Sequence, residues 1–219
     1  MTVSVVVVSY RRQAHLEAIL AAWLAETPDV WLCDCSKDGF KTMLPVKVVR
    51  AWPDPGNKIR HAVSLMTQGD LVIKADDDLM PKPGFAKQFV DAHAKLDDAI
   101  YGIHGRRFLG PHYYGNTRMF GPGNAVGIIE VDFVGVITCT PRRYLPMDLR
   151  RCRNEVEDLY WQMECYPQVK KYVVATRNVH HFPESGDAER LCAPGPSRQI
   201  RQNYYHEWWV KNYAGKRKW

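Results

Sequence analysis

The 219-residue chain has no Cys-x-x-Cys pair, no internal repeat and no apolar run long enough to span a bilayer. Its six cysteines, Cys33, Cys35, Cys139, Cys152, Cys165 and Cys192, are spaced too irregularly for a zinc ribbon. Scattered thiols in a chain of this size suit a reducing compartment, so a cytoplasmic location is expected, the host cytoplasm if the source is viral. The opening MTVSVVVVSYRR is too short for a membrane helix and has no basic segment before its valines. Neither a secretory leader nor an integral membrane segment is therefore expected. A glycine-rich phosphate loop is also missing after the first apolar run, where Ser9-Tyr10-Arg11-Arg12 stands instead. Acidic residues are fewer than basic ones, 24 against 30, leaving a net charge of +6. That excess fits an anionic partner such as a nucleotide diphosphate, nucleic acid or acidic lipid, and equally a solvated basic face.

Hydrophobic residues make up 46% of the chain and charged residues 25%, an ordinary globular mix with enough apolar material for one large core. Residues 2–9 form a β-branched run that reads as a buried parallel strand. Residues 13–25 carry Leu16, Ile19, Leu20, Trp23 and Leu24 at helical spacing. Strands follow at 30–35 and 46–50, a helix at 57–67 and a strand at 71–75. Further expectations are a helix at 83–96, an irregular glycine- and aromatic-rich lobe at 101–127, a strand at 131–140, a helix at 154–166 and a strand at 172–175. Strands alternating with helices predict an α/β fold with a mostly parallel central sheet and helices on both faces. Ligands of such sheets bind beyond the carboxyl ends of the strands. Ser9-Tyr10-Arg11, Asp34-Cys35-Ser36 and Asp76-Asp77-Asp78 all fall at such ends.

Three consecutive carboxylates repel one another unless a cation or a basic partner offsets them. Hard oxygen ligands of this kind suit Mg2+ or Mn2+, which also bind diphosphate oxygens. A solvated acidic turn is the bland alternative.

The segments Val5 to Tyr10, Asp34-Cys35-Ser36-Lys37-Asp38-Gly39, and Gly69 to Asp78 together resemble the nucleotide-binding half of family-2-like glycosyltransferases with the Rossmann-like GT-A fold and its DXD motif. The resemblance covers residues 3–85 well and 130–182 more loosely. It implies a domain over 1–182, with a nucleotide-sugar-binding half at 1–100 and an acceptor-binding half at 101–182. Residues 183–219 would add a donor-closing loop, resembled by 184–190, and a basic aromatic tail. Ser9, Tyr10 and Arg11 would line the nucleotide pocket, and Asp34 would accept a hydrogen bond from the base, usually uracil. Asn57 and Arg60 match the region that grips base and phosphate. Asp76 and Asp78 fit the DXD pattern, with Asp78 first among direct metal ligands and Asp77 the alternative in a one-residue shift. Asp132 would meet a sugar hydroxyl. Asp158, or next Glu157, resembles the acidic base of inverting members, and His181 a further metal ligand.

The resemblance thus implies transfer from a nucleotide sugar, expectedly a UDP-sugar, to an acceptor hydroxyl, with Mn2+ or Mg2+ as cofactor. The acceptor stays open between a hydroxymethylated DNA base and a saccharide. A protein hydroxyl is equally compatible. The tail interleaves Tyr204, Tyr205, Trp208, Trp209, Tyr213 and Trp219 with Arg198, Arg201, Lys211 and Lys216-Arg217-Lys218. Such a mixture can stack bases and contact phosphates, or be a helix packing its aromatic face on the domain. A non-enzymatic nucleic-acid-binding domain explains the tail but not the ordered acids. A nucleotidyltransferase explains the acids but lacks its glycine-rich loop.

Overall fold

A run of valines forms the middle of the sheet. In β1 (Val3–Ser9), Val5, Val6 and Val7 are fully buried, as β-branched side chains in a strand covered on both faces should be. The structure, a computed structural model, describes residues 1–9, 12–96, 98–150, 153–182 and 196–213. The strands β2 (Asp29–Asp34), β3 (Lys47–Arg50) and β4 (Leu71–Asp76) join β1 in the order β3-β2-β1-β4, all parallel. On one face lie α1 (Leu16–Glu26) and α3 (Phe85–Leu96). They pack Leu16, Ile19, Leu20, Trp23, Phe85 and Phe89 on Val5, Val7, Leu71 and Ile73. On the other face α2 (Ile59–Met66) packs Val63 against Val6, Cys33 and Val72. Side chains alternate along β4, so Lys74 and Asp76 share the face of Val72.

Beyond β4 the sheet becomes mixed. β9 (Phe133–Pro141) runs antiparallel to β4, and β6 (Ala99–Phe108) antiparallel to β9. β10 (Lys170–Val174) is parallel to β6, β8 (Ile128–Val131) closes the edge antiparallel to β10, and β7 (Thr117–Phe120) makes a hairpin with β6. The α/β class holds. The expectation of a mostly parallel sheet is corrected, because parallel pairing is confined to the first four strands and to β6–β10. The irregular lobe at 101–127 is corrected too, since β6 is a ten-residue strand through its first part. Gly102 and Gly105 hid it from the alternation pattern. They are glycine because a Cβ there would meet Val134 Cβ at 2.7 Å and Val173 Cγ2 at 2.5 Å.

The helix expected at 154–166 is broken into a 3-10 turn at Asn154–Val156, a short α4 (Glu157–Tyr160) and a wide π-turn at Trp161–Cys165. Trp161 is buried there, with Nε1 donating to the Tyr144 carbonyl at 2.8 Å. β5 (Leu79–Pro81) and β11 (Val179–His181) form a separate two-stranded sheet that the sequence pattern did not predict. α5 (Pro196–Tyr213) buries Tyr205 and Trp209 among Phe108, Tyr113, Phe133 and Leu159. Those tail aromatics serve packing. Residues 183–195, with the loop at 184–190, and 214–219, with Lys216-Arg217-Lys218, lie outside the described residues. Among the described residues no helix is long and apolar enough to cross a membrane. Cys33, Cys35, Cys139 and Cys165 are free thiols.

Lys74 is 1% exposed, with its Nζ 3.3 Å from the centre of the Trp161 ring and no hydrogen-bond partner among the described residues. Burial, and then the charge of Arg60, push its amine well below the usual lysine range. A buried amine without a hydrogen bond costs stability that an apolar side chain of similar length does not. Lys74→Met is expected to raise unfolding stability by about 1–4 kcal/mol, measured by urea denaturation. A loss of that size would show that the amine has a partner the fold needs.

Candidate functional site

Strand register brings the carboxyl ends together. Ser9 of β1 pairs with Asp34 of β2, and Val8 of β1 with Asp76 of β4, so the three ends form one edge. Ser9 is fully buried, and its hydroxyl finds no partner among the described residues. Asp34 is also fully buried, but its oxygens are engaged. Oδ1 accepts from the Ser36 amide and hydroxyl, and Oδ2 from the Phe40 amide at 2.6 Å. The carboxylate thus ties the turn after β2 to the sheet, in the manner of an Asx turn. These contacts fill Oδ1 and take one lone pair of Oδ2. Tyr10 and Arg11 lie outside the described residues.

Every acid of the triplet after β4 meets a base. Asp76 Oδ1 is 3.0 Å from Arg60 NH2, on α2. Asp77 Oδ1 is 2.9 Å from Arg12 NH2, and Asp78 Oδ2 is 2.6 Å from Arg12 NH1. His181 Nε2 stands 3.4 Å from the same Asp78 oxygen. Asp77 and Asp78 are nearly closed to solvent, whereas the Asp76 side chain keeps 31% of its exposure. The repulsion expected from the sequence is therefore offset by two arginines. Arg12 had no role in the sequence reading. A cation three residues after a strand end signals nothing by itself, and only the fold shows it reaching Asp77 and Asp78.

The small sheet explains how His181 arrives. It pairs with Leu79 across β5–β11, and the Phe182 amide donates to the Asp78 carbonyl at 2.9 Å. Phe182 stacks on His15 at 4.1 Å, which holds the β11 end against the start of α1. His104 on β6 was also missed. Burial first, then the nearby His181 and Arg106, lower its pKa. It pairs with Gly135 of β9, at the same end of the sheet. The next residue, Val136, has φ 67°, a conformation costly for a β-branched side chain. Backbone strain of this kind gathers at functional sites.

A cation fits part of this arrangement. Ligand atoms about 2.1 Å from one metal and at right angles lie about 3 Å apart, so Asp78 Oδ2 and His181 Nε2 are placed as a pair of oxygen and nitrogen donors for Mn2+. Asp76, the third expected ligand, faces Arg60 instead. Among the described residues no group of three or more His, Cys, Asp or Glu side chains is arranged to hold a metal ion. The remaining ligands would have to come from a bound diphosphate and water, with Arg12 releasing Asp78.

Asn57 Oδ1 lies 3.5 Å from Arg60 NH2, at the limit of a hydrogen bond. Arg60 also lies within electrostatic reach of Glu157 and Asp158, which links the acidic triplet to the second acidic pair. Asp158 is held by a buried arginine. Arg201 NH1 and NH2 reach its two oxygens at 2.9 and 3.0 Å, and NH1 also donates to the Glu155 carbonyl at 2.7 Å. The Asp158 side chain keeps 28% exposure, while Glu157 is buried. Burial, and then the charge of Asp158, push the Glu157 carboxyl up to about 8. Asp132 stands apart from the acids. Its Oδ2 accepts from the Phe108 amide at 2.7 Å, so it joins the ends of β6 and β9.

A cavity of ≈ 570 Å³ opens at the opposite, amino end of the sheet, beside Ser4, Asp29 and Lys47. Its one buried-side acid, Asp29, is satisfied by Ser4, Trp31 and Lys47. The carboxyl edge remains the better site on chemistry. No protein-family model matches the chain, and no curated protein matches it.

Glu157 has a folded-state pKa above its unfolded value. Its stabilising contribution is therefore complete below about pH 4.5 and is lost as the pH rises through about 8. Glu157→Gln cannot ionise and should escape that loss. Its thermal midpoint relative to the parent is expected to climb between pH 5 and 8. A difference independent of pH would show that Glu157 is ionised throughout.

Proposed function

We propose that the chain is a GT-A glycosyltransferase that moves a sugar from a nucleotide diphosphate donor, a UDP-sugar, to an acceptor hydroxyl with inversion. The observation that carries this is the convergence on one sheet edge of Ser9, Asp76, Asp78 and His181, with Arg12 and Arg60 as counter-charges. The α/β sheet with helices on both faces supports it, as do the order and spacing of the motifs.

In this proposal the nucleoside lies over the carboxyl ends of β1 and β2, near Ser9. Asp34 holds the floor of that pocket through its turn. The diphosphate lies beside Asp78, and Arg12, freed from Asp77 and Asp78, turns its guanidinium to the phosphate oxygens. Asp78 and His181 would hold Mn2+ or Mg2+, which when bound neutralises the leaving diphosphate. Asp76 stays with Arg60 and sets the side wall.

Asp158 takes the proton of the acceptor hydroxyl. The acceptor oxygen then bonds to the anomeric carbon as the bond from that carbon to the diphosphate oxygen breaks, and UDP leaves. Arg201 fixes the Asp158 carboxylate in one orientation, as an orienting group does for a base; with Oδ1 also taken by the Leu159 amide, Oδ2 is the oxygen that faces the substrate in this proposal. Glu157, protonated near neutrality, keeps a second negative charge away from that carboxylate.

A panel of nucleotide sugars incubated with Mn2+ tests this by donor hydrolysis, with water replacing the acceptor. One UDP-sugar is expected to be hydrolysed. Asp78→Ala should abolish turnover, and Asp158→Asn should lower kcat by about a hundredfold or more. Glu157→Gln should cost less than Asp158→Asn; the reverse order would move the base to Glu157. Hydrolysis by Asp78→Ala at the parent rate would overturn the metal assignment.

A further inference from the structure

Two hydrophobic clusters share β6 and β9, and a gap lies between them. Ile103 and Ile137 belong to the cluster under α1 and α3, whereas Phe108 and Phe133 belong to the one that α5 fills. Of the residues between, His104, Arg106 and Gly135 are half-buried and Val136 is exposed. His104 and Arg106, two apart on one strand, share a face.

The strands are irregular at this gap. From Gly102 to His104, β6 advances two residues while β9 advances three, from Thr138 to Gly135. The longer stretch contains Val136, with its φ of 67°. A bulge of this kind re-aims the side chains beside it.

His104 has glycine on both sides. Its direct partner on β9 is Gly135. On the other side Gly105 pairs with Phe120 of β7, and the next residue is Gly121. A Cβ on Gly121 would stand 3.0 Å from Cε1 and Nδ1 of the imidazole, so the ring leans over that glycine. It does not cover Gly135. A Cβ there would meet nothing within 4 Å except the edge of the Phe133 ring, Cε1 at 3.3 Å and Cζ at 3.7 Å. The result is a slot with a floor of backbone, an imidazole on one wall and an aromatic edge on the other. The His104 ring makes no hydrogen bond among the described residues.

The ends of the slot face the two acidic groups. His181, beside Asp78, lies within electrostatic reach of His104. Arg106 stands 4.6 Å from the centre of the Tyr113 ring, and the Tyr113 hydroxyl accepts from Arg201, the partner of Asp158. In a displacement at an anomeric carbon, that carbon lies between the leaving diphosphate and the acceptor oxygen with its base.

We infer that the slot over Gly135 seats the sugar ring of the donor, with His104 hydrogen-bonding a ring hydroxyl and Gly135 limiting the size of sugar admitted. This seat rests on the nucleotide-sugar proposal. A neutral imidazole offers one donor and one acceptor, matching a hydroxyl that can do both. Burial, and then the charges of His181 and Arg106, keep this ring neutral near pH 7. Asp132, the residue expected to meet a sugar hydroxyl, is taken by the Phe108 amide and leaves that role to His104.

The test is isothermal titration calorimetry of the full chain with Mn2+, comparing UDP with UDP-glucose, UDP-galactose, UDP-N-acetylglucosamine and UDP-xylose. The quantity read is the affinity of the best UDP-sugar relative to that of UDP. His104→Phe keeps a flat ring but has no donor or acceptor, and should lower that ratio about tenfold. His104→Gln keeps one of each and should lower it about threefold or less. Gly135→Ala puts a methyl group into the slot and should lower the ratio about tenfold for the hexoses. UDP-xylose, which lacks the hydroxymethyl group, should lose less. Affinity for UDP alone and the thermal midpoint should stay at parent values in all three variants. An unchanged ratio in His104→Phe or Gly135→Ala, or an equal loss of UDP and UDP-sugar, would overturn the inference. A loss in His104→Gln as large as in His104→Phe would overturn the hydrogen bond. A parent that binds no UDP would reject the donor proposal and this seat with it, whereas UDP binding with unchanged ratios rejects the seat alone.

Discussion

The carboxylates of Asp76, Asp77 and Asp78 stand on consecutive residues at the end of a buried strand, and their mutual repulsion has to be met by positive charge. Arg12 reaches two of them from the loop after β1, and Arg60 reaches the third from α2. Those two contacts decide much of the surrounding arrangement. The start of α1 is drawn to the sheet edge, α2 is fixed against the face that carries Lys74 and Asp76, and the β5–β11 sheet brings His181 to Asp78. The acidic cluster is thus closed by two arginines and a histidine.

Behind this edge lies a second layer of charge. Arg60 feels Asp76 on one side and Glu157 and Asp158 on the other. Arg201 carries the chain of contacts further, from Asp158 to the Glu155 carbonyl and the Tyr113 hydroxyl. Through Arg201, α5 is anchored to the segment that holds the proposed base. The aromatic residues of α5 fill the cluster around Phe108, and the arginines left over at the hairpin face outward. Aromatic and basic residues that look alike in the sequence therefore divide into packing and surface roles.

The N-terminal half was legible because its patterns are local. The valine run of β1, the apolar spacing of α1 and the Leu71-Val72-Ile73 lead into the acids each announce their element, and parallel order follows from their alternation with helices. The acidic triplet could be found for the same reason. Arg12 could not, because its partners are 65 or more residues away in the chain. β6 was hidden by Gly102 and Gly105, which only make sense once Val134 and Val173 are seen pressing on them. His104 and the hairpin arginines were hidden with it. The break at Trp161 was missed because a π-turn keeps helical spacing in the sequence while shifting which side chains face inward. Asp34 was found, but its part in tying the turn was invisible without the Ser36 and Phe40 amides.

The central claim is that the edge around Asp78 and His181 gathers a divalent cation together with a nucleotide diphosphate. Electron–nuclear double resonance on the protein loaded with Mn2+ and UDP tests it directly. The account predicts phosphorus couplings from the diphosphate and a nitrogen coupling that vanishes in His181→Ala. A spectrum of hydrated manganese alone, with neither coupling, would contradict it.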